Sequence, residues 1–289
     1  MVMKTDMRMK IFLFLSLLFT IVFARVQGCD YDAKLAQVAL LDDGLVKILN
    51  IDTQKIIKNI HSKDKITCLA YDKSALYVGL SSGEVIKFDP VLGQRSVFSL
   101  ADTKSWGEIS LMKILNDKIY ALIGQNTLIV YDMSSKKLIK KNFPQIYRIS
   151  ALLALDSELV MTSYDGAVYS LNPQNLEATR LLDLGFVPTS ACILKGSQDV
   201  IFGLFDGEVV SLKSGLRAKV AETKICALAC LDSEIYAGGG DGKIYKLDKN
   251  FKILSVQKVH TDELRGIFTD KDFILSVAFD GDVKYKKAD

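Results

Sequence analysis

The sequence predicts an all-β chain, a seven-bladed β-propeller preceded by a signal peptide, on three observations. One hairpin element recurs seven times with a period near 40 residues. The strands that leave each turn alternate apolar and polar residues, the period of a half-buried strand. A short apolar run with a basic flank stands at the N-terminus, outside the repeats.

The recurring element is an apolar strand, a tight polar turn ending in glycine, and an alternating strand closed by a polar residue six positions later. The turn glycines are Gly44, Gly83, Gly166, Gly207, Gly242 and Gly281, with Asn126 in the third copy, spaced by 39, 43, 40, 41, 35 and 39 residues. Such a drifting period belongs to propeller blades and to some helical repeats. The stretches LYVGLSSGEVIKFD, LVMTSYDGAVYSLN, VIFGLFDGEVVSLK and IYAGGGDGKIYKLD decide between them. They are rich in β-branched and aromatic residues and show no 3.6-residue period. Their Asp-Gly pairs supply the left-handed positions that a two-residue hairpin turn requires.

A second apolar strand precedes each hairpin after the first: ITCLAY, ISLMKI, SALLAL, SACIL, CALACL and LRGIF. Several are rich in small residues, as inner strands crowded round an axis should be. Lysine-bearing strands follow several hairpins, among them KIIKNI and KILSVQK. Outer strands present an unpaired edge, and lysines there, including Lys136, Lys137, Lys140 and Lys141, discourage edge-to-edge association. Each repeat therefore holds four strands, inner to outer. The first inner strand has to begin near residue 27. The last blade reaches Asp289 after its third strand, which leaves open which terminal segment completes the ring.

Residues 11–23 read IFLFLSLLFTIVF, preceded by Lys4, Arg8 and Lys10. This is the layout of a secretory signal, and the run is shorter than the roughly 20 residues of a membrane-spanning helix. Residues 1–28 are accordingly read as the signal and 29–289 as the propeller. Cleavage after Val22-Phe23-Ala24 is favoured. Val26-Gln27-Gly28-Cys29 resembles a lipoprotein box, but Arg25 is a charge that such signals rarely carry there. The predicted location is periplasmic.

Composition excludes several classes. The chain is 49% hydrophobic and 25% charged, which rules out intrinsic disorder. Its net charge of +3 comes from the first 28 residues, and the remainder balances 33 basic against 33 acidic side chains. A neutral body argues against nucleic-acid binding through bulk electrostatics. Five cysteines do not make a disulfide scaffold. Cys226 and Cys230 lie four apart on one strand, roughly 13 Å, too far to bridge. Cys68, Cys192 and Cys226 sit among small residues in equivalent strands and are expected as buried thiols. No paired ligand spacing for a metal is present.

HTDELRGIF…FILSVAFDGDVKYKK and IHSKDKITCLAY…LYVGLSSGEVIKFD resemble repeats of the WD40 propeller family over about residues 30–289. His61 and His260 fall where that family places a histidine, just before the inner strand. Most copies lack the histidine, and Phe88, Leu171, Leu247 or Lys286 stands where the family has tryptophan. Ser163 alone matches its Ser/Thr two before the turn aspartate. The family's buried hydrogen-bond network is therefore expected to be mostly missing, with both histidines structural.

No nucleophile elbow, P-loop or zinc-protease helix occurs. Gly238-Gly239-Gly240 precedes a hairpin rather than a helix, so it reads as packing relief, not as a phosphate cradle. The chain is expected not to be an enzyme and to have no catalytic, cofactor-binding or metal-binding residues. What remains is a surface. Loops before the inner strands carry Trp106, Phe143, Tyr147 and Phe186, and neighbouring turns carry Tyr164 and Phe205, all on the third to fifth blades. Either these rings form a protein-binding patch, or they fold inward and cap the blade cores.

The signal, the Lys- and Ile-rich style and the degenerate seven-fold repeat resemble the accessory L family of periplasmic nitrate reductase systems (NapL). That resemblance implies an exported scaffold that helps mature or sustain a molybdenum-containing reductase and holds no cofactor. Two further readings are kept. One is an outer-membrane assembly lipoprotein similar to the BamB propellers, anchored through Cys29. The other is a propeller enzyme or small-ligand binder using the central channel.

Overall fold

A computed structural model describes residues 26–89, 93–100, 107–155, 158–270 and 273–287. The apolar run 11–23 and Trp106 lie outside them. The described residues form seven antiparallel sheets in chain order. The first comprises β1 (Val26–Asp32), β2 (Gln37–Asp42), β3 (Leu45–Asn50) and β4 (Lys55–Ile60). The second comprises β5 (Ile66–Asp72), β6 (Ala75–Leu80), β7 (Glu84–Phe88) and β8 (Arg95–Ser99). The third holds β9 (Ile109–Leu115), β10 (Lys118–Ile123), β11 (Thr127–Asp132) and β12 (Leu138–Asn142). The fourth holds β13 (Ile149–Leu155), β14 (Glu158–Ser163), β15 (Ala167–Leu171) and β16 (Ala178–Asp183). In the fifth are β17 (Pro188–Leu194), β18 (Asp199–Leu204), β19 (Glu208–Ser211) and β20 (Arg217–Lys219). In the sixth are β21 (Ile225–Leu231), β22 (Glu234–Gly239), β23 (Lys243–Asp248) and β24 (Ile253–Lys258). The last holds three strands, β25 (Leu264–Asp270), β26 (Phe273–Ala278) and β27 (Val283–Lys287). The chain is a seven-bladed β-propeller.

Burial grades outward along each blade. The second strands β6 and β18 are buried at every position, because neighbouring blades cover both their faces. Their sequences, ALYVGL and DVIFGL, are correspondingly near-continuous apolar runs rather than alternating ones. The outer strand β24 is exposed at every position and β4 at most of them, which accounts for their lysines.

The core is divided among the seams between blades. Ala39, Leu41, Val46 and Ile48 of the first blade pack on Leu76, Val78, Ile86 and Phe88 of the second, and each later seam repeats the arrangement. The seam that closes the ring joins Val26, Val38, Leu40 and Ile51 to Phe273, Leu275 and Val277 of the last blade. There Tyr31 meets Phe273 edge-on at 5.4 Å, and the Val26 N–H donates to the Phe279 carbonyl at 2.8 Å. The first inner strand thus begins at Val26, and the ring closes through packed side chains and backbone contact.

The hairpin turns correct one expectation. Of the turns between a second and a third strand, Asp43-Gly44 alone is a two-residue turn with both residues left-handed, at φ 43° and 81°. In the second, fourth, fifth, sixth and seventh blades the glycine alone is left-handed, and its N–H closes a four-residue turn, as from Gly166 to the Ser163 carbonyl. In the third blade the left-handed residue is Gly124, two positions before Asn126. The turn aspartates act locally: Asp165, Asp206, Asp241 and Asp280 each accept the N–H two residues on. A side chain at Gly207 would run into the Ala221 carbonyl. In the triple-glycine run, a Cβ at Gly238 would come within 3.0 Å of Leu264 and Ile267 of the next blade, so that glycine serves seam packing.

A second correction concerns cysteine. Cys192 and Cys230 form a disulfide, with Cα atoms 5.6 Å apart, joining the inner strands of the fifth and sixth blades. Their separation of 38 residues is about one repeat, so the repeat itself brings them to one level of a seam. Cys192 is therefore not the buried thiol its neighbourhood of small residues suggested. Cys29, Cys68 and Cys226 are free thiols. Burial pushes the first two up to about 12 and Cys226 up to about 11.

Candidate functional site

From the second blade onward, the turns between second and third strands are bonded to the neighbouring loops, as Ser81 to Lys65 and Leu100 to Gly83. The Tyr164 N–H donates to the Arg148 carbonyl, which precedes the fourth inner strand. On its other flank the Leu184 N–H donates to the Gly166 carbonyl, at the start of the loop that carries Phe186. The next turn repeats the arrangement, with the Phe205 N–H bonded to the Val187 carbonyl. These bonds string Tyr147, Tyr164, Phe186 and Phe205 in order along one rim of the fourth and fifth blades.

Four of the expected aromatic residues are exposed there: Tyr147 by 66%, Phe205 by 59%, Phe186 by 49% and Tyr164 by 39%. Phe143 is not. It is 1% exposed and packs in the seam between the third and fourth blades with Tyr120, Leu122 and Leu176. The reason lies in the loop. The Ile146 N–H donates to the Phe143 carbonyl, and the turn so formed directs Phe143 and Ile146 inward while Tyr147 and Arg148 face out. Asn126 fixes this turn by donating its side-chain amide to the Ile146 carbonyl at 2.6 Å. Of the expected rings, Phe143 caps the core, and Tyr147, Tyr164, Phe186 and Phe205 stand exposed on the rim. Trp106 lies outside the described residues.

Sequence reasoning missed Arg148. Its guanidinium stands 4.3 Å over the Tyr164 ring, a cation–π contact that fixes the ring against the loop. Arg148 and Tyr164 also line a cleft of about 360 Å3 between the third and fourth blades, with Glu108, Ser110, Gln125 and Ser150. A charge next to an aromatic residue in a short loop was the only signal for it. The arc therefore combines four aromatic rings with a guanidinium, the residue types on which protein interfaces concentrate energy.

Of the two histidines, His61 is exposed and His260 is buried. His260 Nδ1 lies 2.9 Å from Asp282 Oδ2, and Nε2 lies 2.8 Å from Ser276 Oγ. Nδ1–H donates to the carboxylate, and Nε2 shares a hydrogen bond with the serine hydroxyl. The hydrogen bond from His260 holds the Asp282 carboxyl below its ordinary range. This pins the last turn to the loop before β25, a structural network in the last blade that the sequence did not suggest. Among the described residues no group of three or more His, Cys, Asp or Glu stands close enough to hold a metal ion.

No known family's sequence pattern matches the chain, and no curated protein matches it in sequence. Among solved structures it is similar to the crystal structure of a computationally designed protein, Ika8. The two are 17% identical, the match covers 92% of this chain and 97% of the designed one, and the TM-score is 0.67. At that identity the likeness speaks to the fold alone.

Proposed function

We propose that this chain is an exported, non-enzymatic propeller scaffold that offers the rim of its fourth and fifth blades to a partner protein. The observation that carries this reading is the arc Tyr147–Tyr164–Phe186–Phe205. Four exposed rings sit on loops already tied to one another by main-chain bonds. Rings held in place lose little freedom on binding, so their burial adds to affinity rather than offsetting the cost of ordering.

Two observations support export. A disulfide in a chain with few cysteines is at home in an oxidising compartment. Removal of the chain through Ala24 would leave β1 whole, whereas cleavage before Cys29 would strip Val26, which is buried and bonded to Phe279. This favours the simply cleaved, periplasmic form over a lipoprotein anchored through Cys29. The partner is proposed to be the periplasmic nitrate reductase system. The support is the resemblance in plan: signal, lysine- and isoleucine-rich strands and a degenerate seven-fold repeat. The test is direct capture of purified periplasmic nitrate reductase by immobilised residues 25–289. Capture that is lost on Tyr147→Ala with Phe205→Ala supports both the partner and the arc. Failure of capture removes the nitrate reductase assignment.

A further inference from the structure

In the last blade the third strand departs from the pattern of the others. Three and five positions after the turn residue, the second to sixth blades place large apolar residues, as Ile86 and Phe88 or Tyr245 and Leu247, which pack on the preceding blade, and the first blade has Lys47 and Leu49. The last blade has Lys284 and Lys286 at these positions. Where the apolar pair would lie, a cleft of about 550 Å3 opens between the sixth and seventh blades. Its floor is Leu231, Tyr236, Ile244 and Ile274, and its charged residues are Lys246, Lys284, Lys286 and Glu234. Lys246 pairs with Glu234 at 2.8 Å, and Lys284 lies 3.6 Å from Asp282 at the cleft's end.

The same strand borders an open edge. Among the described residues β27 pairs with β26 and with no strand beyond it. The Ala278 N–H bonds the Asp282 carbonyl, so residues 278 and 282 form a hydrogen-bonded pair. Antiparallel pairs alternate, which makes Ser276 with Lys284 and Ile274 with Lys286 the next bonded pairs. The main-chain groups of Val283 and Tyr285 therefore face outward, where a fourth strand lies in every other blade.

We propose that this edge and cleft form a docking groove for an extended acidic segment of a partner polypeptide, which adds to β27 as the blade's fourth strand. Main-chain bonds to Val283 and Tyr285 supply the pairing, and three lysines against the two carboxylates Glu234 and Asp282 leave the cleft net positive, which selects carboxylate side chains. A second copy of this chain would bring Lys284 and Lys286 against their own counterparts, a like-charge pairing that lysines at an edge oppose. The groove belongs to the sixth and seventh blades and is separate from the aromatic arc.

The experiment uses residues 25–289 and two fluorescent twelve-residue probes, one alternating Glu with Val and Thr, the other alternating Lys with Val and Thr. Anisotropy is expected to show the acidic probe binding at least tenfold more tightly, and the binding to weaken as salt rises. Lys284→Glu with Lys286→Glu should weaken it by tenfold or more. Tyr285→Pro should abolish it, since it removes an outward N–H without touching the β26 ladder, and an unchanged melting temperature shows that the fold persists. Tyr147→Ala with Phe205→Ala should leave it unchanged, so failure here and failure of the arc are read separately. Equal affinity for the two probes, no binding, or indifference to Tyr285→Pro overturns the proposal. Tighter capture of a peptide of residues 10–24 overturns it in favour of this chain's own N-terminal segment, and micromolar dimerisation lost in Tyr285→Pro overturns it in favour of a second copy.

Discussion

The Val26 N–H and the Phe279 carbonyl meet at 2.8 Å, and through this contact the first residue of the first blade is held by the last turn of the seventh. The seam around it is apolar on both sides, with Val26 fully buried beside Phe273, Leu275 and Val277. Ring closure therefore rests on packing that large-to-small substitution can weaken. Phe273→Ala should cost about 3–5 kcal/mol and Val26→Ala about 2 kcal/mol in urea unfolding at pH 7. Loss of less than half a kcal/mol in both would mean that the ring is held elsewhere.

The Cys192–Cys230 bridge should stabilise the fifth and sixth blades by about 2–4 kcal/mol. Reductant should lower the melting temperature of the native chain and leave that of Cys192→Ala with Cys230→Ala unchanged. Thiol counting on residues 25–289 in denaturant should find three thiols before reduction and five after it. Five before reduction would contradict the bridge.

The free thiols should resist alkylation in the folded protein. Burial raises Cys29 and Cys68 to about 12 and Cys226 to about 11, so at pH 8 almost no thiolate is present. Iodoacetamide labelling at pH 8, followed by mass spectrometry, should be slow at all three sites and fast once urea is added. Rapid labelling of Cys29 in the folded state would contradict its place in the seam between the first and last blades.

Acid should weaken the last blade through Asp282. Its carboxyl is held below the ordinary range by His260, so the contact stabilises the fold above the unfolded-state value near 3.8 and is lost as pH falls through the lower folded-state value. The stability gap between the native chain and Asp282→Asn should shrink from pH 4 downward. A gap that widens on acidification would reverse the sign argued here.

Much of the fold was legible because its signals are local. Alternation after each turn, a left-handed glycine and small residues on inner strands are each set by a few neighbouring positions, so LYVGLSSGEVIKFD declares a hairpin by itself. What was not legible depends on the seams between blades. Cys192 and Cys230 meet only when two repeats are laid side by side, and Phe143 turns inward only because the Ile146 N–H closes a turn on its carbonyl. Loops have no period from which such directions can be read, so Phe143 and Tyr147 looked alike. The hydrogen bonds of His260 to Asp282 and Ser276 were not foreseen, since Ser276 lies outside the family's usual position.

The function proposed here stands on the arc, and site-specific photo-crosslinking tests it most directly. A photoreactive phenylalanine analogue is placed at Tyr147, at Phe205, or at Gln174 on the opposite end of the fourth blade, and irradiated with purified periplasmic nitrate reductase. The account predicts cross-linked product from positions 147 and 205 and none from 174. Product from 174 alone, or equal product from all three, would contradict it.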